Sequence, residues 1–143
     1  MVIRLEAVQR RLARLEEILS TLSGLDYDPS QADKAWNVER GLQLAAECVF
    51  DVGNHLLSAH FGTAADGYEQ ILDALAQRGV IDDALRADLA GLGGFRNVLV
   101  HGYLELDPDR VRDAHQLAPR VFSEYRVQVE RWIDEHYGFN RPA

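Results

Sequence analysis

The stretch that decides the fold runs from residue 2 to residue 22 and reads VIRLEAVQRRLARLEEILSTL. Apolar residues recur in it at steps of three and four, which is the spacing of one face of an α-helix, and charged residues fill the opposite face. The apolar positions are Ile3, Leu5, Val8, Leu12, Leu15, Ile18, Leu19 and Leu22. Because Ser23-Gly24 follows, and glycine commonly ends helices, we predict a first amphipathic helix from Val2 to about Leu22.

Four further segments show the same helical spacing, and strand signals are weak because no apolar–polar alternation bounded by turns occurs. Their predicted bounds are about Gln31 to His60, Tyr68 to Gln77, Ile81 to His101, and Pro108 to His136. Gly91, Gly93 and Gly94 interrupt the fourth helix and indicate a kink or a close approach between helices, since each mid-helix glycine costs about 1 kcal/mol relative to alanine. We therefore predict one all-α domain over residues 1–143, an antiparallel bundle of about five helices whose tail, Tyr137 to Ala143, is frayed.

Composition limits the classes of function. No apolar run is long enough to span a membrane, and the N-terminus lacks the apolar segment of a signal peptide, so we expect a cytoplasmic protein without a membrane partner. The formal net charge is −8, which gives no broad attraction toward nucleic acid, so any RNA contact must be local. Cys48 is the single cysteine, and its apolar neighbours favour a buried structural thiol over a nucleophile.

A row of polar residues four apart lies along the predicted second helix, and we call it the polar stripe. Its members are Glu39, Gln43, Glu47, Asp51 and His55. Residues four apart share one helical face, so the stripe is either a solvated surface or one wall of a cleft. His55 and His60 lack a carboxylate at a suitable spacing, so we expect no metal site and no cofactor here.

The stretch with the richest chemistry is Arg96-Asn97-Val98-Leu99-Val100-His101-Gly102-Tyr103. RNA cleavage by the 2′-hydroxyl needs one group that accepts a proton and another that donates one, and histidine suits either role. Arg96 would hold the charged phosphate, Asn97 would fix its geometry, and Tyr103 would bind phosphate or stack on a base. Gly102 predicts a break after His101 that would turn these groups toward one site. The alternative interpretation is structural: a histidine at a helix end, an arginine in a salt bridge and a tyrosine in the core.

The segment from Gly94 to Tyr103 resembles the Arg-x4-His-x-Tyr signature of the HepT toxin family within the HEPN superfamily. The segments Glu39–Gln43 and Asp51–Gly53 resemble the second helix of that family, and the Asp107-Pro108 turn into a long last helix also fits. The resemblance extends over roughly Val2 to Ile133.

This resemblance implies a homodimer, able to enter a larger hetero-oligomer, in which Arg96 and His101 of both subunits meet in one cleft. It implies a metal-independent RNA endonuclease that acts as the toxin of a type VII toxin–antitoxin module. Arg96, His101 and Asn97 would then be catalytic. The antitoxin would be a nucleotidyltransferase of the MntA type, which silences the toxin by AMPylation of Tyr103.

Two other readings remain open. The chain could be a non-catalytic helical module that binds a nucleotide or a partner protein. It could also be a plain dimeric bundle, in which case Arg96 and His101 would be buried in a salt bridge. The last helix adds five arginines that either contact RNA or form ordinary surface charge, because acidic residues alternate with them. They are Arg110, Arg112, Arg120, Arg126 and Arg131.

Overall fold

The computed structural model describes residues 3–138, and all regular secondary structure in this range is helical. The helices are α1 (Leu5–Ser23), α2 (Ala32–Ala59), α3 (Tyr68–Gln77), α4 (Asp83–Asp88), α5 (Leu92–His101) and α6 (Pro108–Tyr137). None of these helices is long and apolar enough to cross a membrane. The predicted all-α class is therefore confirmed.

Helix α2 lies at the centre and packs against α1, α3, α5 and α6. The apolar stripe of α1 is buried as predicted from Val8 to Leu22, whereas Ile3 and Leu5 are half-buried. Leu15 and Leu22 are fully inaccessible to solvent. Each such leucine contributes roughly 1.5–3 kcal/mol through burial of apolar surface. Cys48 is buried in the same core, and burial raises the pKa of its thiol, in agreement with a structural role.

Two glycines of α2 allow its neighbours to approach closely. A Cβ at Gly41 would lie 2.5 Å from Cδ2 of Leu22, and a Cβ at Gly53 would lie 2.8 Å from Cγ2 of Ile71. The fully buried Tyr125 of α6 donates its hydroxyl to the carbonyl oxygen of Val49 at 2.8 Å. These contacts fix α1, α3 and α6 around α2.

The predicted fourth helix is divided in two, which accounts for six helices where about five were expected. The break lies at Gly91, whose φ of 84° is in the left-handed region that favours glycine. Gly93 provides the close approach, because a Cβ there would lie 2.6 Å from Cβ of Tyr68. Gly94 faces open space, and no steric contact requires a glycine at that position.

Helix α6 begins as predicted: the side chain of Asp107 accepts a hydrogen bond from the backbone N–H of Asp109, and Pro108 is the first helical residue. Helix α6 ends at Tyr137, the first residue of the predicted frayed tail, and the hydroxyl of Tyr137 lies 2.5 Å from Nδ1 of His60. The His60 ring also packs edge-on against Trp132, with ring centroids 4.7 Å apart. Residues 139–143 of that predicted tail lie outside the described residues.

Candidate active site

Arg96 makes three contacts, one each with α2, with α3 and with its own helix α5. Its Nε donates to Oε1 of Glu47 at 2.6 Å, its Nη1 donates to Oδ1 of Asn97 at 3.3 Å, and its guanidinium carbon lies 5.3 Å from the ring centroid of Tyr68. The Arg96 side chain is 18% exposed and that of Glu47 is 30% exposed. The hydrogen bond to Glu47 raises the pKa of Arg96 above its usual value, so this cation is permanent and fixed in direction.

The platform beneath Arg96 comes from elsewhere in the chain. Tyr68 packs against Phe50 of α2, with ring centroids 4.4 Å apart. The carboxylate of Glu69 accepts hydrogen bonds from the backbone N–H groups of Gly91 at 2.9 Å and Gly93 at 3.0 Å, and so caps the start of α5. The first turn of α3 therefore sets both the position of α5 and the surface on which Arg96 rests.

The polar stripe connects α2 to its neighbours on both sides. Glu47 binds Arg96 of α5, Asp51 Oδ2 lies 4.0 Å from Nε of Arg11 of α1, and Nε2 of His55 accepts the backbone N–H of Arg4 at 3.0 Å. Burial raises the pKa values of Glu39 and Asp51. Three members of the stripe, Glu47, Asp51 and His55, therefore contact residues outside α2, so the stripe is not simply a solvated face.

His101 and Tyr103 are placed differently from Arg96. Helix α5 ends at His101, as the glycine at position 102 predicted, and the backbone N–H of Gly102 donates to the carbonyl oxygen of Val98 at 2.9 Å. His101 is exposed, and Tyr103 in the following turn is 81% exposed. Within residues 3–138, no hydrogen bond or ring contact joins Arg96 to either ring. Of the structural alternative, the histidine at a helix end and the arginine in a salt bridge are both present, whereas Tyr103 is exposed and does not lie in the core. His101 does not join Arg96 in a buried salt bridge within residues 3–138.

Most of the arginines proposed on the last helix have partners. Three of them form ion pairs of 2.9–3.2 Å, and a fourth stacks on the ring of Phe95. These contacts favour the interpretation of the four arginines as ordinary surface charge. The paired residues are Arg112 with Asp109, Arg120 with Asp88, and Arg126 with Glu130, and the stacked one is Arg110.

Sequence reasoning identified Glu47 only as one member of the polar stripe, and it missed Tyr68 and Glu69. No local spacing marks these residues, because Glu47 lies 49 positions from Arg96 and Glu69 lies 22 positions from Gly91. One short helix therefore carries a fixed cation, Arg96, and ends with an exposed imidazole, His101. Arginine binds phosphate groups and histidine commonly transfers protons in enzymes.

The chain is similar to proteins of one ribonuclease family. A family model described as "Ribonuclease HepT-like" matches residues 8–126. A protein named tRNA nuclease HepT, from Aphanizomenon flos-aquae, is 28% identical over 131 residues, which cover 91% of this chain and 87% of that protein. The crystal structure of the toxin–antitoxin MntA-HpeT superposes with a TM-score of 0.77 at 22% identity, covering 88% of this chain and 98% of that one. YutE from Bacillus subtilis, a cytosolic protein of unknown function, gives a TM-score of 0.83 at 21% identity over 99% of both chains. The chain described here therefore belongs to the HepT-like ribonuclease family.

Proposed function

We propose that this chain is a metal-independent endoribonuclease that acts as the toxin of a type VII toxin–antitoxin module. The observation that carries the proposal is the arrangement of α5. This short helix carries Arg96, which Glu47 of α2 holds in place, and it ends with the exposed His101. Membership of a ribonuclease family supports the reaction class. In the reaction, Arg96 binds the scissile phosphate, His101 exchanges protons, and Asn97 steadies the guanidinium through its 3.3 Å hydrogen bond.

The chemistry requires two proton-transfer groups. A base removes the proton of the 2′-hydroxyl, the 2′-oxygen forms a bond to phosphorus, and the bond from phosphorus to the 5′-oxygen breaks as an acid protonates that oxygen. The products are a cyclic phosphate and a free 5′-hydroxyl. Because one chain brings a single histidine to this site, a homodimer with facing copies of α5 would supply both the acid and the base. Arg96 of each copy would stabilise the charge that develops on the phosphate oxygens.

Tyr103 is the proposed site of silencing. Its hydroxyl would attack the α-phosphorus of ATP on a nucleotidyltransferase antitoxin of the MntA type, and pyrophosphate would leave. The 81% exposure of Tyr103 makes the hydroxyl accessible to such a partner. The AMP group would place a negative charge and an adenosine two residues from His101, where it would block RNA. Incubation with antitoxin and ATP should add one AMP to the mass of the wild-type chain and none to Tyr103→Phe.

The activity test uses total tRNA as substrate, because a relative of this chain is named a tRNA nuclease. The purified chain should cleave it in EDTA, whereas Arg96→Ala and His101→Ala should each cleave about 10²–10⁴-fold more slowly while remaining folded. Arg120→Ala is the matched control and should cleave normally, because it removes an arginine of α6 that pairs with Asp88 of α4.

Three results would contradict the proposal. Cleavage that disappears in EDTA would exclude metal independence. Full activity in Arg96→Ala or His101→Ala would exclude the assigned residues. A wild-type chain that binds its antitoxin but leaves RNA intact would favour the non-catalytic module instead.

A further inference from the structure

Positive charge is concentrated at one end of α1. Residues 4–14 contain four arginines and one glutamate, a local net charge of +3 in a chain whose formal net charge is −8. The arginines are Arg4, Arg10, Arg11 and Arg14. An acidic protein that binds RNA needs such a local patch, because its overall charge repels the phosphate backbone.

Part of this charge faces a groove between the N-terminal half of α1 and the C-terminal half of α2. The groove has a volume of about 770 Å³, and we call it the α1–α2 groove. Arg4, which immediately precedes α1, and Arg11 of α1 line it on one side, and Asn54 and Ser58 of α2 line it on the other. Within residues 3–138, no hydrogen bond or ion pair holds the guanidinium of Arg4 or the side-chain amide of Asn54. Both groups are thus available to a ligand with acceptor oxygens.

Asp51 links the groove to the surroundings of Arg96. Asp51 lies one helical turn beyond Glu47, the residue that holds Arg96, and its carboxylate lies 4.0 Å from Arg11. Burial and the neighbouring Glu47 raise the pKa of Asp51, and the positive charges of Arg11 and Arg96 act in the opposite direction. Asp51 therefore lies in the lining of the α1–α2 groove and one helical turn from the residue that holds Arg96.

The pairing of Arg11 is loose enough to yield to a ligand. Its distance to Asp51 is 4.0 Å, and the two side chains are 46% and 58% exposed. By contrast, the ion pairs of α6 measure 2.9–3.2 Å. An exposed pair of this kind contributes little to stability, so a phosphate can replace the carboxylate at low cost.

We propose that the α1–α2 groove binds backbone phosphates of RNA that flank the scissile phosphate, with Arg11 and Arg4 as their cationic ligands. This inference rests on the proposed function. Asn54 and Ser58 would donate hydrogen bonds to the same backbone. Asp51 would oppose binding, because its charge repels a phosphate bound in the groove.

The test measures RNA affinity in the non-cleaving His101→Ala background. The probe is a short fluorescein-labelled single-stranded oligoribonucleotide, and its dissociation constant is determined by anisotropy over a range of salt concentrations. Arg11→Gln should reduce the slope of log affinity against log salt by about 0.7 and weaken binding about fivefold at 0.1 M salt, the effect of one lost phosphate contact. Arg10→Gln is the matched control, because it removes the same charge from an exposed residue that does not line the groove.

Asp51→Asn tests the same site by removing a negative charge instead of a positive one, and it should tighten binding of the RNA probe. The inference is overturned if Arg11→Gln and Arg10→Gln have equal effects, or if Asp51→Asn weakens binding. It is also overturned if Arg11→Gln weakens only the complex with the antitoxin, since the groove would then be a protein interface. Failure of the proposed function looks different: the wild-type chain would not cleave tRNA, and the His101→Ala chain would not bind the probe.

Discussion

Glu47 has two opposed effects on Arg96. It fixes the guanidinium at 2.6 Å, and it neutralises part of the charge that a phosphate would otherwise meet. A small misplacement of a catalytic group can reduce the rate about 10²-fold, so the positional effect should dominate. We expect Glu47→Ala to lower kcat on tRNA roughly 100-fold, and Glu47→Gln, which can still accept the hydrogen bond, to lower it only about tenfold.

The control for this prediction is Glu39→Gln, which changes another glutamate of the polar stripe that has no contact with Arg96. It should leave kcat unchanged. Steady-state kinetics and a thermal unfolding curve for each variant separate catalysis from stability. Wild-type kcat in Glu47→Ala would show that Arg96 needs no support from α2.

His55 gives the stability of this protein a defined dependence on pH. Its Nε2 accepts the backbone N–H of Arg4, and burial, together with Arg11 and Arg4, lowers the pKa of His55 below its ordinary value of 6.5. The folded state disfavours the protonated ring. The contribution of the neutral His55 ring to folding stability is therefore complete above pH 6.5, and it is lost as the pH falls through the lower folded-state pKa. Urea unfolding at pH 7.5 and at acidic pH should show this loss.

The matched variants for this prediction are His55→Asn and His101→Asn. His55→Asn should reduce the loss of stability on acidification, because asparagine can accept a hydrogen bond and does not titrate. His101→Asn replaces an exposed ring that has no hydrogen-bond partner in residues 3–138. This variant should lose as much stability on acidification as the wild type does. Equal pH profiles for wild type and His55→Asn would exclude the role of His55.

At the scale of the element, the position of α5 depends on a glycine that touches α3. A Cβ at Gly93 would lie 2.6 Å from Cβ of Tyr68, whose ring supports Arg96, whereas a Cβ at Gly94 meets open space. Gly93→Ala should therefore destabilise the fold by about 1–3 kcal/mol through overpacking and should also lower RNA cleavage. Gly94→Ala should stabilise it by about 0.5–1 kcal/mol, because alanine is the better helix former. Urea denaturation measures the free energy of unfolding of each variant. Changes of the same sign in Gly93→Ala and Gly94→Ala would contradict this prediction.

Local patterns predicted the helices well, and the contacts between helices poorly. The bounds of α3 agree at both ends, and α1 differs by a few residues at its start, because apolar spacing and glycine positions are encoded within each segment. The ion pair of Arg96 with Glu47 depends on how α5 packs on α2, and that packing follows from Gly93, Tyr68 and the cap at Glu69. Gly93 lies within α5 and marks a close approach between helices, but no feature of α5 identifies Glu47, Tyr68 or Glu69 as the residues in contact.

At the scale of the whole molecule, the chain carries one copy of each proposed catalytic group. His101 is exposed at the end of α5, and residues 3–138 supply it with no second proton-transfer group in contact. A reaction that needs both an acid and a base therefore favours two chains that share one cleft. In such a dimer, loss of His101 from one chain removes either the acid or the base from the shared cleft.

A mixed dimer tests this arrangement directly. One wild-type chain and one His101→Ala chain, carrying different tags, are co-expressed and purified through both tags. If the cleft is shared, this dimer should cleave tRNA at least about 100-fold more slowly than the wild-type dimer, because one proton transfer is lost. If each chain holds its own complete site, the activity should instead be one half. A mixed dimer with Arg120→Ala in place of His101→Ala controls for the tags and should keep full activity, since Arg120 pairs with Asp88 on a different part of the surface.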